Sequence, residues 1–116
     1  MRAFRERITK GVSMKILIIC GAGASSTFVA HRLRRSAAEQ GVAAEISAGS
    51  ESDLPARLAG LDVLLIGPHL AGRFDEIRAS ASAADVAVAL LPETIFRERD
   101  GQVALGLALD AAGTRS

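Results

Sequence analysis

The segment Lys15-Ile16-Leu17-Ile18-Ile19-Cys20 runs straight into the turn Gly21-Ala22-Gly23-Ala24-Ser25-Ser26-Thr27. Beyond the turn, Val29, Leu33 and Ala37 recur at intervals of four, with His31, Arg32, Arg34 and Arg35 on the other face. A short, isoleucine-rich run without alternation is the pattern of a strand covered on both faces. Apolar residues four apart mark an amphipathic helix, and Gly41 stands where a left-handed C-cap belongs. A doubly covered strand leading into a helix constrains the chain to a parallel sheet with helices on each side.

The remaining sequence repeats this alternation. Residues 42–47 suit a second strand, and Asp53-Leu54-Pro55 is expected to open a short helix with Leu54, Leu58 and Leu61 on its buried side. Val63-Leu64-Leu65-Ile66 is a second uniformly apolar run, stopped by Gly67-Pro68. Leu70, Phe74 and Ile77 mark another helix face, and residues 86–91 form a fourth strand ended by Pro92. The last segment, 102–112, alternates as a strand would at Val103, Leu105, Leu107 and Leu109, yet its alanines also allow a helix. Asp100 as N-cap and Gly113 as C-cap favour the helix. The predicted order is β-α-β-α-β-α-β-α, an open α/β sheet of four parallel strands in the order 2-1-3-4, with helices on both faces. In such sheets ligands bind beyond the carboxyl ends of the strands, where the chain reverses direction. That places Cys20 with its loop, and Gly67-Pro68-His69, at one crevice.

Composition removes several function classes. The 116 residues are 49% hydrophobic and 23% charged, enough for one core. Lys and Arg total 14 against 13 Asp and Glu, and Arg2, Arg5, Arg7 and Lys10 lie before residue 14. The rest of the chain carries a formal charge of −2, with no Trp or Tyr, which is no footprint for nucleic acid. Residues 1–13 read as a basic, disordered extension ahead of a domain that starts at Met14. No apolar run approaches the ~20 residues of a membrane helix, and the N-terminus lacks a signal-peptide stretch. One cysteine allows neither an internal disulfide nor a cysteine-based zinc site, and it fits a reducing compartment. The expectation is a soluble cytoplasmic domain with no metal and no cofactor.

The loop after the first strand carries the chemistry. Gly21 and Gly23 let main-chain amides point inward, and with the helix N-terminus they form an anion-binding concavity. Ser25, Ser26 and Thr27 add hydroxyl donors. Cys20 stands at the mouth of this P-loop-like cradle, where an oriented dipole is expected to lower the thiol pKa. From residue type alone, a cysteine ending a strand is either core filler or nucleophile. A sulfur walled off by aliphatic neighbours would leave phosphoryl transfer no place to occur. The turn lacks Gly-Lys-Ser/Thr, so it is not a nucleotide-triphosphate loop.

The string Lys-Ile-Leu-Ile-Ile-Cys-Gly-Ala-Gly-Ala-Ser-Ser-Thr resembles the signature of the sugar phosphotransferase system (PTS) IIB components of the lactose/cellobiose type. That pattern is roughly Cys-x-Ala-Gly-Met-Ser-Thr-Ser. Cys20, Ala22, Gly23 and Ser25 match it, Ser26 and Thr27 exchange the two hydroxyl types, and Ala24 replaces Met. Residues 62–70 resemble the family's apolar strand ending in Gly-Pro-Gln, with His69 in place of Gln. Asp100-Gly101-Gln102-Val103 resembles its closing Asp-Gly-x-x-Val. The similarity spans 14–112. It implies a IIB domain over 14–116 whose Cys20 accepts a phosphoryl group from a phosphohistidine of a IIA partner. Gly21, Ala22, Gly23, Ala24, Ser25, Ser26 and Thr27 would hold that group before it passes to a sugar bound by a membrane IIC partner.

Competing readings remain open at this point. Cysteine-dependent phosphatases and arsenate reductases with a similar loop place an arginine six residues after the nucleophile; here that position is Ser26. A non-catalytic anion-binding module is the third reading. His69 is either an accessory group for the phosphate or an exposed replacement for Gln. His31, with Arg32, Arg34 and Arg35, reads as a solvated helix face, or as a basic stripe facing the IIA partner. Glu93 lacks a carboxylate companion for acid/base work, and Phe28 and Phe74 read as core or partial core.

Overall fold

The computed structural model describes residues 14–20, 23–54, 56–97 and 101–114, with the backbone alone at 23–26, 96 and 114. Four strands, β1 (Met14–Cys20), β2 (Ala44–Ser50), β3 (Val63–Ile66) and β4 (Ala87–Leu90), form one parallel sheet in the order β2-β1-β3-β4. The helices are α1 (Gly23–Glu39), α2 (Phe74–Ala83) and α3 (Gln102–Thr114). The sheet and its order are those expected from the two apolar runs. The extension at 1–13, Pro55 and the cap residue Asp100 lie outside the described residues.

The side chains of β1 divide the core in two. Met14, Ile16, Ile18 and Cys20 face the layer of α1 and α3, among Val29, Leu33, Ala37, Ala104, Leu105 and Ala108. Leu17 and Ile19 face the opposite layer, with Leu70, Ile77 and Ala81 from α2 and the turn before it. The period-two alternation of a strand is thus satisfied on both faces, which is why the run contains no polar interruption.

Helix α1 ends as its sequence indicates. Gly41 adopts φ 69°, the Gly41 N–H donates to the Ala38 carbonyl, and the Val42 N–H donates to the Ala37 carbonyl at 2.8 Å. This pair of bonds is a Schellman cap, which a glycine enters without steric strain. Segment 102–112 is helical. Ala104, Ala108 and Ala112, each four apart, are buried against the sheet layer, and Val103, Leu107 and Leu109 are half-buried beside them. Gly113 is not the C-cap, because α3 runs through it to Thr114. The start of α3 is held close to α1: the Gly101 N–H donates to the buried Ser36 Oγ at 2.8 Å.

The helix expected to open at Asp53 does not form. Two short 3-10 turns replace it, Glu51–Asp53 and Ala56–Leu58. The Ser50 N–H donates to Asp53 Oδ2 at 2.8 Å, and Arg57 donates to the Ala48 carbonyl and to Ser47 Oγ. These local bonds hold the segment against the end of β2 and compete with helical ones. Leu58 is buried, and Leu54 and Leu61 pack against the α2-side core, so the apolar spacing is used without a helix.

Strand β2 is one edge of the sheet. The Ala43 carbonyl accepts from the Met14 N–H, so alternation turns the Ile46 and Ala48 carbonyls outward. Both are occupied by arginine: Arg34 donates to Ile46 through Nε at 3.0 Å and Nη2 at 2.7 Å, and Arg57 donates to Ala48 at 3.2 Å. Arg34 is therefore a structural brace rather than a merely solvated residue. At the amino edge, the buried Asp62 laces three strands. Its Oδ2 accepts from the Lys15 N–H at 2.8 Å, its N–H donates to the Lys15 carbonyl, and its carbonyl accepts from the Ala87 N–H.

Candidate active site

Strand β1 delivers Cys20 to the carboxyl edge between β2 and β3. Cys20 lies opposite Ser50 of β2. On the other side Ile19 lies opposite Ile66, and the Gly67 N–H then donates to the Ile19 carbonyl at 2.7 Å, continuing the ladder one residue past β3. Helices α1 and α2 lie on opposite faces, so this edge is where the connections diverge. This edge brings Gly67 against Cys20, and Pro68 and His69 follow it in the turn that leaves β3.

The state of the thiol differs from the sequence expectation. Cys20 is 1% exposed and belongs to the apolar cluster on the α1 side. Burial pushes its pKa up to about 11, where the oriented dipole was expected to lower it. The physical reason is desolvation: an ionised sulfur among aliphatic side chains loses its hydration. The sulfur is also closely backed by Gly67, since a Cβ built there would stand 2.7 Å from Cys20 Sγ.

The proposed cradle is more helical than the sequence suggests. Gly21 and Ala22 lie outside the described residues. Helix α1 begins at Gly23, so Gly23, Ala24, Ser25, Ser26 and Thr27 all have helical backbone. The amides of the first turn have no partner within the helix, whereas the Thr27 N–H is placed to bond the Gly23 carbonyl four residues back. An open loop reaching Thr27 is thus replaced by a helix N-terminus three residues beyond Cys20.

The other candidates are placed as follows. His69 is exposed in the 3-10 turn Pro68–Arg73 that leaves β3. His31 and Arg35 are exposed on α1, and Glu93 is exposed at the start of the turn Glu93–Arg97. Phe28 is not core: it is 56% exposed, and the Arg32 guanidinium lies 4.3 Å from its ring centroid. Together with Thr27, His31 and Arg34 these two line a hollow of about 320 Å³. Phe74 is half-buried against the α2-side core. Among the described residues no group of three or more His, Cys, Asp or Glu is disposed to hold a metal ion.

Sequence reasoning missed the bracing around the crevice. Arg73, at the end of the turn after β3, pairs with Glu51, just past β2, at 2.6 Å, and also with Glu76. This bridge ties together the segments that leave the two neighbours of β1. No motif announces it, because the partners lie 22 positions apart. Gly67 had a readable signal, a glycine-proline pair stopping an apolar strand, but its contact with Cys20 depends on the register of β1 against β3.

The fold and the site together define the class of domain: an open parallel α/β sheet whose inner first strand ends in a cysteine, just ahead of the following helix. Within that class, residues 15–95 match the family model described as PTS system, Lactose/Cellobiose specific IIB subunit, and the chain belongs to this family. The PTS system galactose-specific EIIB component of Lactococcus lactis subsp. cremoris is 37% identical over 76 residues, covering 61% of this chain and 70% of that protein. The PTS system lactose-specific EIICB component of Lactococcus lactis subsp. lactis is 29% identical over 105 residues; the match takes in 89% of this chain but spans only 18% of that longer protein. Among solved structures, the lactose-specific IIB domain from Streptococcus pneumoniae superposes with a TM-score of 0.77 at 15% identity, covering 85% of this chain and 97% of that one. The cellobiose-specific IIB component from Borrelia burgdorferi gives 0.72 at 25% identity, covering 90% and 95%. The chain is thus a IIB component of a sugar phosphotransferase system. No helix among the described residues is long and apolar enough to cross a membrane.

Proposed function

We propose that Cys20 carries the phosphoryl group in this IIB component, taking it from a phosphohistidine on a IIA partner and passing it to a sugar held by a membrane IIC partner. The observation that carries this reading is the position of Cys20: the chain's single cysteine ends β1 at the edge where the connections diverge, three residues before α1 begins. The relative named as an EIICB component supports a IIC partner.

In the first step an S–P bond forms at Cys20 as the N–P bond of the phosphohistidine breaks. The thiol proton goes to the imidazole nitrogen that the phosphoryl group leaves. In the second step a sugar hydroxyl oxygen takes the phosphoryl group, the S–P bond breaks, and the hydroxyl proton returns to sulfur. Because burial holds the thiol protonated, its proton has to leave sulfur as the S–P bond forms. The first-turn amides of α1, with Gly21 and Ala22, would hold the dianion, aided by the positive end of the helix dipole. The resting sulfur is walled off by aliphatic neighbours, a state in which phosphoryl transfer has no place to occur, so exchange requires that contact with the donor uncover it.

The test is phosphorylation by the general PTS proteins and a cognate IIA, followed by intact and peptide mass spectrometry. The expected result is one phosphoryl group on Cys20, absent from Cys20→Ser. Phosphate found on another residue, or undiminished in that variant, overturns the assignment. Hydrolysis of a small aryl phosphate without any IIA would move the reading to a phosphatase.

A further inference from the structure

We propose that Gly67 is a positioning residue for phosphoryl transfer: the space left by its missing side chain is where the Cys20 sulfur rests, and this fixes the sulfur at the carboxyl end of β1. The inference rests on Cys20 being the carrier, but its geometry does not. A Cβ at position 67 would lie 2.7 Å from Cys20 Sγ and 3.2 Å from both the Cα and the Cβ of Cys20. Gly67 has φ −66° and ψ 155°, a conformation open to any residue, so glycine is required here for space and not for backbone freedom.

Position 67 is also unable to retreat. Its N–H is bonded to the Ile19 carbonyl at 2.7 Å, its carbonyl accepts from the Leu70 N–H at 3.0 Å, and Pro68 fixes the turn that follows. On the far side the sulfur belongs to the filled apolar layer with Val29 and Ala30. A methyl group at position 67 therefore meets the sulfur most closely, and the expected response is that the sulfur leaves its seat toward solvent, because the core side is filled. Gly72 is the matched control: it lies in the same 3-10 turn, and a Cβ there meets nothing within 4 Å.

The experiment compares wild type, Gly67→Ala and Gly72→Ala by two readouts. The first is the pH profile of Cys20 alkylation by iodoacetamide, followed by mass. The second is the rate of phosphoryl uptake from the IIA donor. Gly67→Ala is expected to move the alkylation midpoint down by about one pH unit, raising the rate at neutral pH about tenfold. Phosphoryl uptake should fall by about a hundredfold, as expected for a reacting atom misplaced by about 1 Å. Gly72→Ala should match wild type in both. If Gly67→Ala leaves the alkylation profile unchanged, the positioning role is overturned. If the profile moves but no variant, nor wild type, takes up phosphate on Cys20, the carrier reading fails while the seating of the sulfur stands. Should Gly67→Ala not fold, the pair Cys20→Ala/Gly67→Ala decides: recovered folding supports contact with the sulfur, and continued failure overturns it.

Discussion

Asp62 and Cys20 are both almost fully buried, 2% and 1% exposed, and both sit against β1, one at each end. Asp62 closes the amino end. Its side chain accepts from the Lys15 amide, and its own peptide groups bond Lys15 and Ala87, so each bond serves the sheet. Cys20 closes the carboxyl end. Its sulfur fits a space left by a glycine, and burial holds it protonated. The same degree of burial therefore has two meanings. At one end it protects a hydrogen-bonded junction, and at the other it keeps a thiol in its neutral form.

The contrast can be broken most sharply by pH. Above pH 9 the unfolded thiol ionises while the folded one keeps its proton to about pH 11, so unfolding releases a proton and is favoured by rising pH. The stability contributed by the neutral thiol is complete below pH 9 and is lost by pH 11, amounting to about 2–3 kcal/mol. Urea denaturation across that range should show a steeper fall for wild type than for Cys20→Ala. Parallel curves would mean that burial does not govern this sulfur.

A smaller effect is expected at the other end. Asp62→Ala leaves the Lys15 amide without its carboxylate partner and should cost about 2 kcal/mol in the same denaturation assay at pH 7. Phosphoryl uptake per folded molecule should be unchanged, and a loss of uptake would show that the two ends are coupled. The smallest effect is expected outside both ends. Phe28→Ala removes an exposed ring and should shift stability by less than about 0.5 kcal/mol, whereas a shift above about 1 kcal/mol would mean that its contact with Arg32 is structural.

How far the sequence discloses this molecule follows the range of the forces involved. The sheet was legible because the runs at 16–20 and 63–66 are short and apolar throughout, the pattern of strands covered on both faces. Gly41 was legible because a cap is a local event. The segment after Asp53 was not, because leucine spacing is shared by helices and by successive 3-10 turns, and bonds from Asp53 and Arg57 back to the end of β2 decided between them. Phe28 sits one position before Val29 in the stripe, on the flank rather than the floor of the buried face. At the site, residue types pointed to Cys20 and its loop, but the direction of the thiol's pKa could not be read locally. It depends on a wall completed by Gly67, 47 positions away, and on the layer beneath α1 and α3.

The paired arginines on β2 have a consequence beyond stability. Arg34 and Arg57 fill the outward carbonyls at alternate positions, Ile46 and Ala48. A strand arriving from another molecule would have to evict two guanidinium groups to reach these two acceptors. Identical chains brought together in a crowded solution accordingly meet a poorer template for zippering along this margin, because the polypeptide itself supplies donors to the middle of its outer strand.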